Sequence, residues 1–599
     1  MKEGMAYDEH TLFIKYQQER ALRLGNGGVA QYRSVQEPGL VSYDADPSTL
    51  QRTDRQPISA QFEVVVVGGG YAGMIVAINL LERGVDNIAI IDKATDFGGT
   101  WYWNRYPGAQ CDVESYIYMP FLEECNYVPT EKYASASELF SHAQSIGHRF
   151  DLYSKAIFAT EVRCLRWQDQ KAMWQVQTDL QDFIEAKWVV LCPGNQSKPK
   201  LPGCRGIENF QGRSFHTCRW DYAYTGGSNT EPLSLLQSRR VGIIGTGASA
   251  VQVLPKVAAS AGQVYVFQRT PSSVSVRNNR PTDERWALSL QPGWQRKRMC
   301  NFQAVTSGST QEDLVQDSWT KFLPLIAGFT RQAATAADDN RQQPWEKPQQ
   351  TADFQVMEEI RERVSREVTR DPKTAAALMP WYNFLCKRPC FHDEYLQAFN
   401  RPNVTLVDTL GKGVDSITER GIVANGQEFQ LDCIIWATGF EWQTEWTRRT
   451  GIQVYGRNGL QLSQKWSNGI STFHGWGVNG FPNLQLITHA QSGLSVNYTH
   501  SALHKGAHLA YVIKECRDRG YRVVEPSEAA EAAWGNLCVA VGQSRKQFLD
   551  GCTPGYLNNE GQVDDKVTRA NPFIGGQDEY ERILAAWRED GELYGLLFE

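Results

Sequence analysis

The chain has 599 residues, 41% hydrophobic and 21% charged, which excludes wholesale disorder, collagen and low complexity. Its 61 basic and 67 acidic residues give a net charge of -6 without long single-sign runs, arguing against nucleic acid or an anionic membrane as partner. Thirteen cysteines without CxxC spacing point to a reducing compartment, hence a cytoplasmic protein, rather than a disulfide framework.

Residues 1–60 are polar, with a helical pattern near Asp8–Leu24, and read as an extension packed on the outside. The first 25 residues are interrupted by charges and contain no apolar signal-peptide core. Val64–Leu81 is uncharged, yet three glycines near its start make it a strand, a turn and a helix rather than a membrane span. A second strand is predicted at Ile88–Ile91 and a Trp- and Val-rich meander at Arg163–Leu191. An α/β pattern restarts with strands at Val241–Ile244 and Val264–Phe267. Between Arg277 and Leu385 turn residues thin out, and Phe354, Met357, Ile360 and Val364 recur at helical spacing. Strands resume at Val404–Val407 and Ile434–Ala437, followed by irregular and helical sequence. The fold class is therefore α/β, with two interleaved Rossmann-like dinucleotide-binding domains and a helical insertion. Residues 61–201 and 437–599 are expected to form the first of these domains, 202–276 and 386–436 the second, and 277–385 the insertion; the motifs below assign FAD to the first and NADPH to the second.

The nucleotide assignments come from two motifs. Gly68, Gly70 and Gly73 form a GxGxxG turn between strand and helix, with Tyr71 and Ala72 inside it; Asp92 ends the next strand, where it can bind ribose hydroxyls. The second motif is Gly245-Thr246-Gly247-Ala248-Ser249-Ala250. Its following strand ends in Gln268-Arg269-Thr270, with no acid to repel a 2′-phosphate and an arginine able to pair with one. Two such sites imply that a nicotinamide, NADPH, reduces a bound flavin, FAD. Cys192-Pro193-Gly194 and Ala437-Thr438-Gly439 follow β-rich segments and read as crossovers between the two domains.

Three further patterns resemble the Baeyer–Villiger monooxygenases. Phe210, Gly212, His216, Trp220 and Asp221 fit the pattern FxGxxxHxxxW(P/D) between the two nucleotide motifs. Gly98-Gly99-Thr100-Trp101 through Asp112, and Lys387-Arg388-Pro389 through Val404, match as well. The resemblance implies a flavin monooxygenase that inserts one oxygen atom of O2 beside a ketone carbonyl, through a C4a-peroxyflavin and a Criegee adduct, giving an ester or lactone. It places Gly99, Thr100, Trp101, Asp112, Tyr118 and Val162 at FAD, and Lys387 beside Arg269 and Thr270 at the NADPH 2′-phosphate. Arg388, held by Asp112, becomes the cation that stabilises the peroxide, for which a permanently charged multi-donor guanidinium is suited. His216 reads as coupling domain movement to cofactor binding rather than transferring protons.

Many members carry a Ser-Trp ahead of an Asn-x-Pro-Gly-Lys segment. Here Lys546–Tyr556 keeps the Pro-Gly without the Trp or Lys, which together with the extension resembles a subgroup related to polycyclic ketone monooxygenases that takes bulky ketones. A heteroatom monooxygenase, or a non-catalytic redox-sensing flavoprotein, remains an alternative. His500, His504 and His508 share a helix face, but no acid or cysteine completes the set locally, so no metal is expected.

Overall fold

A computed structural model describes residues 8–25, 27–47, 55–326, 347–442 and 444–599. The parts of the extension at 1–7, 26 and 48–54, and of the helical insertion at 327–346, lie outside the described residues.

One sheet is built around strand Ser59–Val67, which pairs in parallel with Ile88–Ile91 on one side and Phe183–Leu191 on the other. Ala156–Ile157 extends the first side; the antiparallel strands Val162–Gln168 and Met173–Thr178 extend the other. Chain from the C-terminal part returns to this sheet, with Leu484–Leu486 against Phe183–Leu191 and Gln453–Tyr455 on the far edge. Val64–Val67 and Ile88–Ile91 are buried on both faces, as near-continuous apolar runs in parallel strands should be.

The second sheet is wholly parallel, in the order Val404–Asp408, Gln263–Gln268, Arg240–Ile244, Cys433–Trp436, Arg213–His216. The inner strand of each sheet runs through a glycine turn into a helix, Tyr71–Leu81 in one and Ala248–Ser260 in the other. Both helix N-termini thus lie at the C-terminal ends of the strands, where open α/β sheets bind ligands.

Helices Glu284–Ser289, Trp294–Thr306, Ser318–Ile326, Lys347–Glu367 and Pro372–Leu378 occupy the insertion. Phe354, Met357, Ile360 and Val364 are all buried. Among the described residues no helix is long and apolar enough to cross a membrane.

The extension is not merely packed outside. Helix Glu9–Arg23 buries Leu12 and Tyr16 against Phe354, while Gln31 and Tyr32 reach the central cleft. Its polar composition hid this, because much of what seats it is ion pairs and hydrogen bonds made to residues far along the chain.

Candidate functional site

The two glycine turns begin alike. Gly68 (φ +114°) and Gly245 (φ +110°) adopt backbone that L side chains rarely reach. A Cβ at Gly68 would lie 2.3 Å from the Cys192 carbonyl, and one at Gly245 2.4 Å from that of Ala437. Each turn is thus wedged against one of the tripeptides read as crossovers. Asp92 accepts hydrogen bonds from the Gly69 and Ala94 amides at 2.5 and 2.7 Å, and burial pushes its carboxyl upward. Tyr71 and Ala72 are buried in the helix start, and the Tyr71 hydroxyl donates to the Leu139 carbonyl. Gly99 (φ +52°) leads into Thr100 and Trp101, whose indole donates to the Tyr118 hydroxyl at 3.2 Å. Val162 is buried at the start of its strand, two residues after Thr160, whose amide donates to the Asp92 carbonyl.

A cleft of about 1470 Å³ joins the two lobes. Thr100, Trp101, Asp112, Tyr118, Gly245, Thr246, Gly247, Ser249, Arg269, Thr270, Lys387 and Arg388 line it. Gly68, Gly70, Tyr71, Ala72, Gly73, Asp92, Gly99, Val162, Ala250 and the five fingerprint residues are not in its wall.

Arg388 and Asp112, 276 positions apart, meet as a two-pronged pair: Nη2 to Oδ1 at 2.8 Å and Nη1 to Oδ2 at 2.7 Å. The carboxylate is almost fully buried, whereas the guanidinium keeps 36% exposure toward the cleft. Burial works against the charge, but Asp112 outweighs it and drives the Arg388 pKa further up, so the guanidinium stays charged. Trp319, on the insertion, donates its indole N–H to the Asp112 carbonyl at 2.9 Å. The loop carrying Asp112 is tied to the second lobe, with the Tyr106 hydroxyl on Gln252 Oε1 at 2.8 Å and Gln252 Nε2 on the Gln110 carbonyl at 2.8 Å.

At the far end of the cleft the Thr270 hydroxyl is buried with no hydrogen-bond partner among the described residues. Beside it, Arg269 gives Nη2 to Glu560 Oε2 at 3.0 Å and Nη1 to Gln31 Oε1 at 3.1 Å. The absence of an acid after this strand holds only locally, because Glu560 arrives from 291 positions away. Burial, reinforced by repulsion from Arg269, pushes the Lys387 ammonium down to about 8. The open space over Gly247, where a Cβ would meet nothing within 4 Å among the described residues, together with the Thr270 hydroxyl and these cations, fits a phosphorylated dinucleotide.

The fingerprint residues are held by contacts within the second lobe. Gly212 packs too tightly against the Asp432 carbonyl and the Phe210 ring to bear a side chain. The Trp220 indole donates to the Thr225 hydroxyl at 3.0 Å, and Asp221 caps the following turn through the Tyr224 amide. Burial, then repulsion from Arg219, lowers His216 to about 3, so its imidazole is neutral near pH 7. Arg219, within the same motif, pairs at 2.7 Å with Asp44 of the extension and lies 4.0 Å over the Trp103 ring. Lys198 and Lys93 approach the same carboxylate at 2.5 and 3.6 Å.

Two features add to the sequence reading. Cys386 and Cys552 form a disulfide, 166 positions apart with Cα atoms 5.1 Å from each other; such a separation leaves no spacing signature, and the bridge abuts Lys387. The histidine set does gain an acid: Glu581 Oε1 lies 2.9 Å from His500 Nε2 and its Oε2 3.4 Å from His504 Nε2, so these three could hold a metal ion. His508 instead faces Arg588. None of these three lines the cleft.

The pyridine nucleotide-disulphide oxidoreductase family matches residues 62–286. The Baeyer–Villiger monooxygenase ATR8 of Stachybotrys chlorohalonatus is 52% identical over 99% of this chain and 95% of its own. A polycyclic ketone monooxygenase structure from Thermothelomyces thermophila superposes with a TM-score of 0.89 at 37% identity, covering 98% of this chain and 99% of that one. An oxidised steroid monooxygenase bound to NADP gives a TM-score of 0.74 at 27% identity, covering 90% and 99%.

Proposed function

The chain belongs to the Baeyer–Villiger monooxygenases, and we propose that its cleft holds FAD and NADPH and oxidises bulky ketones, with Arg388 as the catalytic cation positioned by Asp112. The overall reaction takes a ketone, O2, NADPH and a proton to an ester or lactone, NADP+ and water. Reduced flavin, when bound, supplies the electrons and the activated oxygen.

The residues do the rest. The helix N-termini at Gly68–Gly73 and Gly245–Ala250 would each stabilise a pyrophosphate, the second from within the cleft wall and the first from outside it. Arg269, Thr270 and Lys387 converge where a 2′-phosphate would be recognised. Negative charge develops on the ketone oxygen as its carbon is attacked, and a fixed guanidinium needs no reorganisation to meet it. Asp112 engages both terminal nitrogens of Arg388, fixing the guanidinium plane while their outer N–H groups and Nε–H stay free of that pair. Trp319 locks Asp112 in turn, so the insertion reports directly on the catalytic pair. The likeness to a polycyclic ketone monooxygenase supports bulky ketones.

The observation that carries this reading is the bidentate Arg388–Asp112 pair in the wall shared by both nucleotide lobes. For Arg388→Ala, stopped-flow absorbance should show NADPH still reducing the flavin. Product analysis should show ester formation falling by about a hundredfold or more, with oxygen released as hydrogen peroxide. Ester formed at the normal rate would remove Arg388 from the chemistry.

A further inference from the structure

Glu560 sits in a cradle of cations that has no evident use for it. Its side chain is 3% exposed, and its two oxygens are taken by Arg269 at 3.0 Å and by the Tyr32 hydroxyl at 2.9 Å. Lys200, itself buried, lies 4.0 Å away and also 3.8 Å over the Tyr32 ring. Burial alone would raise the Glu560 carboxyl, but Arg269, Lys200 and Lys387 prevail and hold it below the usual range, so it is an anion. Lys200 is also shared with the buried Glu441, itself paired with Arg448 at 3.0 Å, so Arg269, Lys200, Lys387 and Arg448 stand against two carboxylates, leaving a surplus for a further anion.

The backbone is built to aim this carboxylate inward. Asn559 (φ +49°) and Glu560 (φ +55°) are consecutive left-handed residues, a conformation that is costly for a glutamate and persists only when its surroundings impose it. The buried Asn558 imposes it: its amide group donates to the carbonyls of Leu549, Cys552 and Thr553, and its oxygen accepts from the Gly555 and Gly561 amides. The disulfide between Cys552 and Cys386 pins the same segment beside Lys387.

We propose that Glu560 is a coenzyme-selectivity residue: its carboxylate competes with the NADPH 2′-phosphate for Arg269, and so narrows the preference for NADPH over NADH. A 2′-phosphate must share or displace a partner that Arg269 already has, whereas the 2′-hydroxyl of NADH brings no charge into conflict with Glu560. This rests on the assignment of Arg269 to the 2′-phosphate.

The test is calorimetric titration of NADP+ and NAD+ into the oxidised, FAD-loaded protein. For Glu560→Gln, the NADP+ dissociation constant should fall about tenfold while that of NAD+ moves by less than about twofold. Glu560→Asn, which removes the charge with a residue that tolerates left-handed backbone, should raise the ratio of the NAD+ to the NADP+ dissociation constant in the same way, and serves if Glu560→Gln does not fold. A ratio that stays constant or falls in both variants overturns the proposal. Arg269→Ala separates the two levels. If it weakens NADP+ alone, the 2′-phosphate assignment stands and a null result at Glu560 counts against Glu560 only. If it changes neither coenzyme, the assignment fails and takes the proposal with it.

Discussion

The two glycine turns start from one plan and are finished in opposite ways. In the first, protein closes over the turn: a Cβ at Gly73 would lie 1.8 Å from the Gly68 carbonyl, and one at Gly99 would lie 2.6 Å from the Gly70 Cα. In the second, alanine already fills the third place as Ala250, and a Cβ at Gly247 would point into open cleft. The difference teaches that a shared motif specifies the strand-to-helix bend but not what presses against it. The first turn is pressed on by neighbouring backbone, and the second opens on the cleft.

The sharpest way to break that contrast is Gly73→Ala. No flexible side chain can yield, because the obstructing atom is backbone, so the helix must move off its strand. We expect a loss of more than about 4 kcal/mol of stability, with FAD lost on purification, checked by denaturant unfolding and flavin absorbance. Unfolding within about 0.5 kcal/mol of the parent would mean the first turn is as yielding as the second.

Asp44→Asn comes next and probes what clamps the lobes on the side of the first turn. Burial alone would raise the Asp44 carboxyl, but Lys93, Arg219 and Lys198 outweigh it and hold it well below the usual range. A depressed folded pKa gives stability that is fully present above the unfolded value of about 4 and is lost as pH falls through the folded value. The substitution should cost about 3 kcal/mol at pH 7 by leaving three cations without their common partner. It should also flatten the parent's loss of stability at acid pH, measured as melting temperature against pH.

Cys552→Ser releases the bridge beside Lys387, on the side of the second turn's cofactor. It should cost about 2 kcal/mol in thermal unfolding and should weaken NADP+ binding more than flavin retention. Equal effects on both cofactors would show that the bridge serves the whole molecule and not the second site.

How legible these regions were from sequence follows the same division. The strands, both turns and their helices were readable because glycine spacing and apolar runs are local consequences of backbone geometry. The Arg388 and Asp112 candidates come from resemblance alone; nothing in the sequence says that two residues 276 positions apart touch. The Asp44 and Glu560 cation clusters, and the Cys386–Cys552 bridge, were invisible for a related reason. Each joins an end of the chain to its middle, and a lone acid or cysteine in a polar segment has no period or spacing to betray it. The only warning at Glu560 was the departure from the Pro-Gly-Lys pattern a few residues before it.

The smallest expected effect on stability is at Gly247, and it tests the open half of the contrast. Gly247 caps helix Ala248–Ser260 with φ -74° and ψ -173°, a conformation alanine adopts without strain. Its absent Cβ would meet nothing, so Gly247→Ala should leave unfolding within about 0.5 kcal/mol of the parent. The same methyl group would stand where a pyrophosphate must approach the helix amides, so NADP+ and NAD+ should both weaken, and by the same factor, because the pyrophosphate is common to both. This distinguishes the turn from Arg269, whose loss should separate the two coenzymes. Calorimetry showing unchanged affinity for both in Gly247→Ala would mean that the open space over this turn is not where the dinucleotide lies.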